Sequence, residues 1–441
     1  MSIIKKRFNL ICLIGIILLG YFLRNHNINT WPRLGATFDE YAWAWQGISL
    51  IQNKVPTSWS YHPQYKNRKL VIYQKTNFIL VTPYLEHPPL FGLVAGGYAL
   101  LSGSEGMFDI DIKNIRGLAL ILGTLSILMV FLLASKLYGK GIGLLSAFLY
   151  ATIPTVVVGS RIVQNENFFI PVWLASLYLA ASYLKNKRIW MRNLAAVLCG
   201  LLILAKVPWV AAPFSIFIIF LYHRRYKDAL ITAAIVIPIF LTYFVYGFYY
   251  DKDVFLGLWG LQLNRYDISF SSVYALFQKP YLADRFFLDG WIYWGWFSFI
   301  LLPLKEFKKH LFVISALISY FLVFIIAIPD EGGHGWYRYP FYPFLIISIA
   351  LFIKEYLARN FLYTFLFLVI VGTGQLELTW KVTFGFSYPI FRLAIFSWGL
   401  VLIPLYLSNK KTLKMGKVVS YAWFFIFILM NIWAVMIYNE M

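Results

Sequence analysis

Asp39 and Glu40 stand side by side ahead of Trp43 and Trp45, and Glu86-His87 stand directly before Pro88-Pro89-Leu90, where paired prolines fix the backbone just after an acid and an imidazole. Arg161 and Glu166 close one apolar segment and open the next. Arg265, within Gln262-Leu263-Asn264-Arg265-Tyr266, and Arg338, within Trp336-Tyr337-Arg338-Tyr339-Pro340-Phe341-Tyr342, are cations set among aromatic residues. A carboxylate that takes a proton from a hydroxyl, with cations that meet an anionic leaving group, would supply the parts of a group transfer. Each piece also has a plainer reading. Asp39-Glu40 suits the start of a surface helix, where the dipole favours acids. Glu86-His87 suits a rigid turn with a solvated imidazole, Arg161 and Glu166 a simple ion pair, and the two arginines snorkelling cations.

What brings these residues together is a membrane. The 441 residues are 60% hydrophobic, 20% aromatic and only 13% charged, with a mean hydropathy of +0.68, which excludes a soluble protein. The formal charge of +20 sits in short clusters between apolar stretches and not on one patch, so it reads as a topology signal and no nucleic-acid partner is expected. Cys12 and Cys199, the two cysteines, both lie inside apolar segments and build neither a disulfide framework nor a cysteine metal cluster.

About 13 spans are expected in an all-α polytopic membrane protein. The first runs from Phe8 to Leu23 behind Lys5-Lys6-Arg7 and has no small-x-small cleavage site after it, so it is read as an uncleaved helix with its start in the cytoplasm. The others are expected at 116–135, 141–159, 167–184, 190–206, 208–222, 228–248, 286–303, 311–328, 340–353, 360–374, 389–407 and 418–437. With this layout the inner turns carry about 21 basic residues against three acids, Asp228, Glu306 and Glu355, while the outer segments are nearly balanced. The stretch Pro88 to Ser102 is too short and too rich in glycine and proline to cross, and counting it would invert every later loop. It is expected to be an interfacial helix, as is Glu40 to Gln52, both in a long first outer loop from Arg24 to about Ile115. With no repeat, low-complexity tract or soluble linker, residues 1–441 read as a single membrane domain. No soluble C-terminal domain is expected after the last span.

Phe38-Asp39-Glu40 in the first outer loop, Glu86-His87-Pro88-Pro89-Leu90 at its end, Arg161 to Glu166 after the third span, Ala205-Lys206 after the fifth and Arg338 to Pro343 before the tenth resemble one superfamily. It comprises the protein O-mannosyltransferases and the aminoarabinose lipid A transferases, which are polyprenyl-phosphate-sugar-dependent glycosyltransferases of the C-type (GT-C) fold. The resemblance covers roughly residues 1–350. It implies Asp39 as the catalytic base with Glu40 beside it, His87, Arg265, Arg338 and Tyr342 near the donor phosphate, and Glu86, Arg161, Glu166 and Lys206 positioning sugar or partners. The His-Pro-Pro form is similar to the mannosyltransferase side, whereas aminoarabinose transferases carry Lys-Pro at the matching place. No counterpart of the accessory outer domains of both branches is expected, which leaves the acceptor open.

The inner turns are about ten residues or fewer, too short for a nucleotide-sugar domain, so an activated sugar on the outer face would arrive on a lipid. Displacing a polyprenyl phosphate from the anomeric carbon chiefly needs a base for the acceptor hydroxyl and cations for the leaving phosphate. One base attacking in line would invert the anomeric centre. The expected partners are a polyprenyl-phosphate-linked sugar, a glycan, lipid or protein acceptor, and the bilayer. No metal site is expected, although a divalent cation at Asp39, Glu86 and Glu166 stays compatible with the residue types. Asp109-Ile110-Asp111 imitates a nucleotide-sugar motif but reads better as a solvated loop. The alternatives are a transporter or flippase, and an enzyme like an O-antigen ligase or polymerase. Missing internal symmetry and candidate residues at helix ends argue against the first, and the order of the acidic and His-Pro-Pro motifs against the second.

Overall fold

A computed structural model describes residues 2–264, 271–277, 281–282, 285–286, 289–327, 334–385, 387–407 and 409–438. The chain opens with α1 (Ser2–Asn25), followed across the first loop by α2 (Asp39–Asn53), α3 (Leu90–Leu101), α4 (Ile112–Tyr138), α5 (Lys140–Thr152) and α6 (Pro154–Gly159). Asp111 caps α4, its carboxylate accepting from Lys113 N at 2.8 Å, and Asp109 accepts from Glu105 N at 2.9 Å, so this acidic pair is used in turn and cap. The reversal between α4 and α5 falls on Gly139 at φ 90°, a conformation that glycine adopts without steric cost. The α5–α6 break falls at Pro154, which follows the extended Ile153.

The bundle continues with α7 (Asn165–Asn186), α8 (Ile189–Ile203), α9 (Ala211–Tyr222), α10 (Tyr226–Leu263), α11 (Ser271–Phe277), α12 (Gly290–Ala327), α13 (Tyr342–Glu355) and α14 (Phe361–Gln375). It closes with α15 (Lys381–Phe384), α16 (Tyr388–Val401), α17 (Ile403–Tyr406) and α18 (Lys410–Ile437). Two of these double back. In α12 the non-helical residue is Glu306, and Trp296 and Tyr320 both pack against Phe341, with ring centroids 5.1 and 4.7 Å away. A continuous helix would hold those two residues about 36 Å apart. In α10 the chain turns at Asp251, which brings Trp259 to 5.2 Å from Phe244.

Among the described residues nine helices are long and apolar enough to cross a membrane. The expected spans 190–206 and 208–222 are helical but shorter, 141–159 is divided at Pro154, and 286–303 and 311–328 run together as the two arms of α12.

The first loop is not purely helical. It holds a three-stranded antiparallel sheet in the order β1-β3-β2, with β1 Ser58–Trp59, β2 Arg68–Tyr73 and β3 Thr76–Val81. Its layer of Trp59 and Phe78 packs on Tyr41 and Trp45 of α2. Helices α2 and α3 meet backbone to backbone. A Cβ on Gly47 would lie 1.8 Å from Gly92 O, and one on Gly96 2.4 Å from Ile48 N, so only glycine permits this crossing.

The basic turns gather at one end of the bundle. Lys305 and Lys309 both reach Glu355, at 2.5 and 3.7 Å, and Tyr222 meets Phe307 at 5.9 Å. Lys136 lies in electrostatic reach of Lys185, and His223 of Lys187 and Lys308. Along α7 the step from Lys185 to Glu166 is about 28 Å, roughly the thickness of a bilayer core, so Glu166 and its neighbours occupy the opposite end.

Candidate active site

Asp39 and Glu40 open α2 and, as helix neighbours, project about 100° apart. Glu40 points inward, where Arg116 Nε and Nη2 donate to its two oxygens at 3.0 and 2.9 Å and Val163 N donates at 3.1 Å. Arg116 also donates to the carbonyls of Ile28, Pro32 and Arg33. Both side chains are fully buried, so Glu40, grouped with Asp39 in the sequence, is a structural anchor and not a cavity residue. Asp39 faces the other way. Its Oδ2 accepts from Gln164 Nε2 at 3.1 Å, and Gln164 is held by Trp43 Nε1 at 3.3 Å and by Thr37 Oγ1 at 3.3 Å. Burial pushes the Asp39 carboxyl above its ordinary value, only partly opposed by the Gln164 hydrogen bond and by the charges of Lys206 and His334.

Lys206 follows α8, and Glu166 opens α7. Lys206 Nζ donates to Glu166 Oε1 at 2.8 Å and lies 4.7 Å from the Tyr337 ring centroid and 5.6 Å from that of Trp209. Asn165 locks the two elements together, donating to Ala205 O at 2.8 Å and accepting from Trp209 Nε1 at 2.7 Å. Burial pulls the Lys206 ammonium down, but the Glu166 carboxylate and its hydrogen bond outweigh it, and the lysine stays charged.

The Glu-His-Pro-Pro turn is tied to the same place, because Leu90 N donates to Leu204 O at 3.0 Å and Gln46 Nε2 donates to His87 O at 3.1 Å. Glu86 accepts from Ser60 Oγ at 2.9 Å, contacts His62 Nε2 at 3.2 Å and lies 4.0 Å from His87 Nε2. Burial pushes the Glu86 carboxyl up, yet His62, His87 and Ser60 together hold it below its ordinary value, as a carboxylate.

Asp39, Ser60, Glu86, His87 and Lys206 line one cavity of about 640 Å³, to which the sheet and loop add Trp59 and Tyr61, α10 adds Trp259, and the segment before α13 adds His334 and Tyr337. Leu263 and Ile326, 75% and 74% exposed, stand at its apolar rim. Asp39, Glu86, His87 and Lys206 are thus brought together from far-apart positions, with Glu166 behind Lys206. Arg161 is not with them. It donates to Trp31 O at 2.9 Å and Leu23 O at 2.8 Å, and burial with the nearby charges of Arg24 and Arg116 lowers its pKa to about 9. Arg338 and Tyr342 line a separate small pocket with Tyr293 and Trp296, and Arg338 donates to Ala275 O at 2.6 Å. Arg265 lies outside the described residues.

Among the described residues no group of three His, Cys, Asp or Glu side chains is placed to hold a metal ion. Ser60, His62 and Gln164 were not singled out in the sequence. They orient the two cavity carboxylates, and nothing in their local sequence distinguishes them from ordinary loop residues.

Residues 86–246 match the family model described as dolichyl-phosphate-mannose-protein mannosyltransferase, and no curated protein sequence matches the chain. Among solved structures, the chain is similar to ArnT from Cupriavidus metallidurans bound to undecaprenyl phosphate, at 14% identity and TM-score 0.60, covering 97% of this chain and 76% of that one. It is also similar to the Archaeoglobus fulgidus oligosaccharyltransferase, at 15% identity and TM-score 0.51, covering 90% of this chain and 57% of that one. A third similarity is to arabinosyltransferase EmbB from Mycobacterium smegmatis, at 12% identity and TM-score 0.51, covering 97% of this chain and 40% of that one. The chain has the GT-C fold of these membrane glycosyltransferases, and its segment 86–246 is similar to the mannosyltransferase family model.

Proposed function

We propose that this protein is a membrane glycosyltransferase that moves a sugar from a polyprenyl-phosphate carrier to an acceptor hydroxyl on the outer face of the cell membrane. The observation that carries this reading is the single cavity on which Asp39, Glu86, His87 and Lys206 converge, at the end of the bundle opposite the basic turns. By the positive-inside rule that end faces outward. The cavity volume, about 640 Å³, lies in the range of small-molecule sites.

The acceptor hydroxyl gives its proton to Asp39 as its oxygen bonds to the anomeric carbon. On the opposite side the bond from that carbon to the phosphate oxygen breaks, and polyprenyl phosphate leaves as an anion. Asp39 is suited to the task because burial raises its basicity while Gln164 aims it. Lys206 is the charged group that meets the phosphate, helped by the imidazoles of His87 and His334. Glu166 keeps the lysine protonated and in place. Glu86, ionised, accepts hydrogen bonds from sugar hydroxyls. Attack opposite the leaving phosphate inverts the anomeric centre. The rim residues Leu263 and Ile326 suit the prenyl chain.

Purified protein in proteoliposomes is expected to consume a synthetic polyprenyl-phosphate sugar, release polyprenyl phosphate and ignore the matching nucleotide sugar. Transfer from the nucleotide sugar alone, or sugar uptake without bond formation, would contradict the proposal. Mass spectrometry of envelope glycans with and without the protein would name the acceptor.

A further inference from the structure

The sheet of the first loop has a face that the cavity does not use. In β2, Arg68, Leu70 and Ile72 alternate onto that face, and Leu70 and Ile72 are 65% and 73% exposed. Their cross-strand partners include Ile79 and Val81 of β3, which pack with Val254, Phe255 and Leu258 on the returning arm of α10. That arm lies against an outward-facing stretch of the same helix, where Val245 is 69% and Tyr249 80% exposed. The outer surface of a candidate membrane span therefore runs, through the returning arm, into the free face of the sheet.

Charge points the same way. Residues 41–85 contain five basic residues and no acid. Lys66, Arg68 and Lys75 are exposed in the segment that carries the two aliphatic side chains, Arg68 also donating to Tyr61 O at 3.3 Å, while Lys69 is exposed on the other face of the strand. Lysines on a free strand also discourage edge-to-edge pairing, but that would not call for Leu70 and Ile72 to face outward. A soluble acidic polymer would be met by the cations and would gain nothing from the aliphatics. Apolar side chains ringed by lysine and arginine, continuous with a lipid-facing helix, match an anionic bilayer surface.

We propose that the β2–β3 hairpin docks on anionic phospholipid of the leaflet at the cavity end. Leu70 and Ile72 enter the acyl boundary, and Lys66, Arg68 and Lys75 meet headgroup phosphates. Because β3 also pairs with β1, whose Trp59 lines the cavity, this contact moors the cavity wall at the membrane surface. The inference does not depend on the reaction proposed above.

The test uses full-length protein carrying Cys12→Ser and Cys199→Ser, labelled with an environment-sensitive fluorophore at Ile72→Cys or, if that variant elutes as aggregate, Leu70→Cys. A label at Glu105→Cys serves as the water-exposed reference. In vesicles containing phosphatidylglycerol, nitroxide-bearing lipid is expected to quench the hairpin label at least about twofold more than the reference. Removing phosphatidylglycerol, or changing Lys66, Arg68 and Lys75 to Gln, is expected to lower that quenching, with high salt acting in the same direction. Iodide quenching equal to the reference in every vesicle would overturn the proposal. So would equal lipid quenching with and without phosphatidylglycerol, or shielding of the label by soluble polyglutamate in detergent.

Discussion

Arg116 holds Glu40 in a fully buried ion pair at 2.9 Å, and this pair fixes which face of α2 carries Asp39 to the cavity. The two acids are adjacent in sequence and opposite in role. Breaking a buried pair by removing one partner costs about 3–5 kcal/mol, because the remaining charge stays desolvated. Arg116→Ala is therefore expected to lower the melting temperature sharply or prevent accumulation, whereas Asp39→Asn is expected to melt no lower than wild type. Fluorescence-detected thermal melts in detergent decide this, and an unchanged melt for Arg116→Ala would contradict the anchoring role.

The raised Asp39 pKa sets a pH dependence with a definite sign. The group binds its proton more tightly folded than unfolded, so its ionisation costs stability as pH rises above the ordinary 3.8, and Asp39→Asn removes that cost. For catalysis the carboxylate must be ionised, so the acid limb of kcat/KM is expected above the usual carboxylate range. Gln164→Leu removes the hydrogen bond that favours the charged form and is expected to move that limb to higher pH. A limb that stays put in Gln164→Leu would separate Gln164 from the base.

His62 acts through Glu86. His62→Ala leaves Glu86 without its closest nitrogen donor and is expected to raise donor KM about tenfold while changing kcat less. His62→Gln keeps an N–H that can reach Glu86 and is expected to recover most of the loss. Steady-state kinetics on the three proteins check this, and equal losses in both variants would point to packing alone.

Membrane orientation rests on the separation of Lys-rich turns from the cavity. In a cysteine-free background, Glu105→Cys is expected to react with an impermeant thiol reagent from outside intact cells and Lys187→Cys only after permeabilisation, both positions being exposed. The reverse pattern would place the cavity in the cytoplasm.

Much of this arrangement is legible in the sequence because lipid imposes simple rules on it. Apolar length marks the helices, and the clustered lysines mark one end of the bundle. The Asp-Glu, Glu-His-Pro-Pro and Lys206 motifs lie toward the other end. What stays hidden depends on contacts far apart in the chain. Nothing local says that Glu40 turns toward Arg116, 76 residues on, or that Glu86 meets His62. The β2–β3 hairpin escapes notice for a different reason. Its turn, Gln74-Lys75, takes positive φ values of 46° and 65° with none of the glycine or asparagine that usually announces such a turn. The returning arm of α10 is equally silent, since Asp251 breaks the helix without proline or glycine.

The most direct test of the whole proposal is single-turnover transfer from a radiolabelled polyprenyl-phosphate sugar, comparing wild type with Asp39→Asn and measuring donor binding on the same preparations. The expected result is transfer by wild type, and a loss on the order of 10²-fold or more in Asp39→Asn with donor affinity nearly intact. Near-normal transfer by Asp39→Asn, or no transfer by a wild-type protein that binds the donor and receives a full set of acceptor glycans, lipids and peptides, would contradict it.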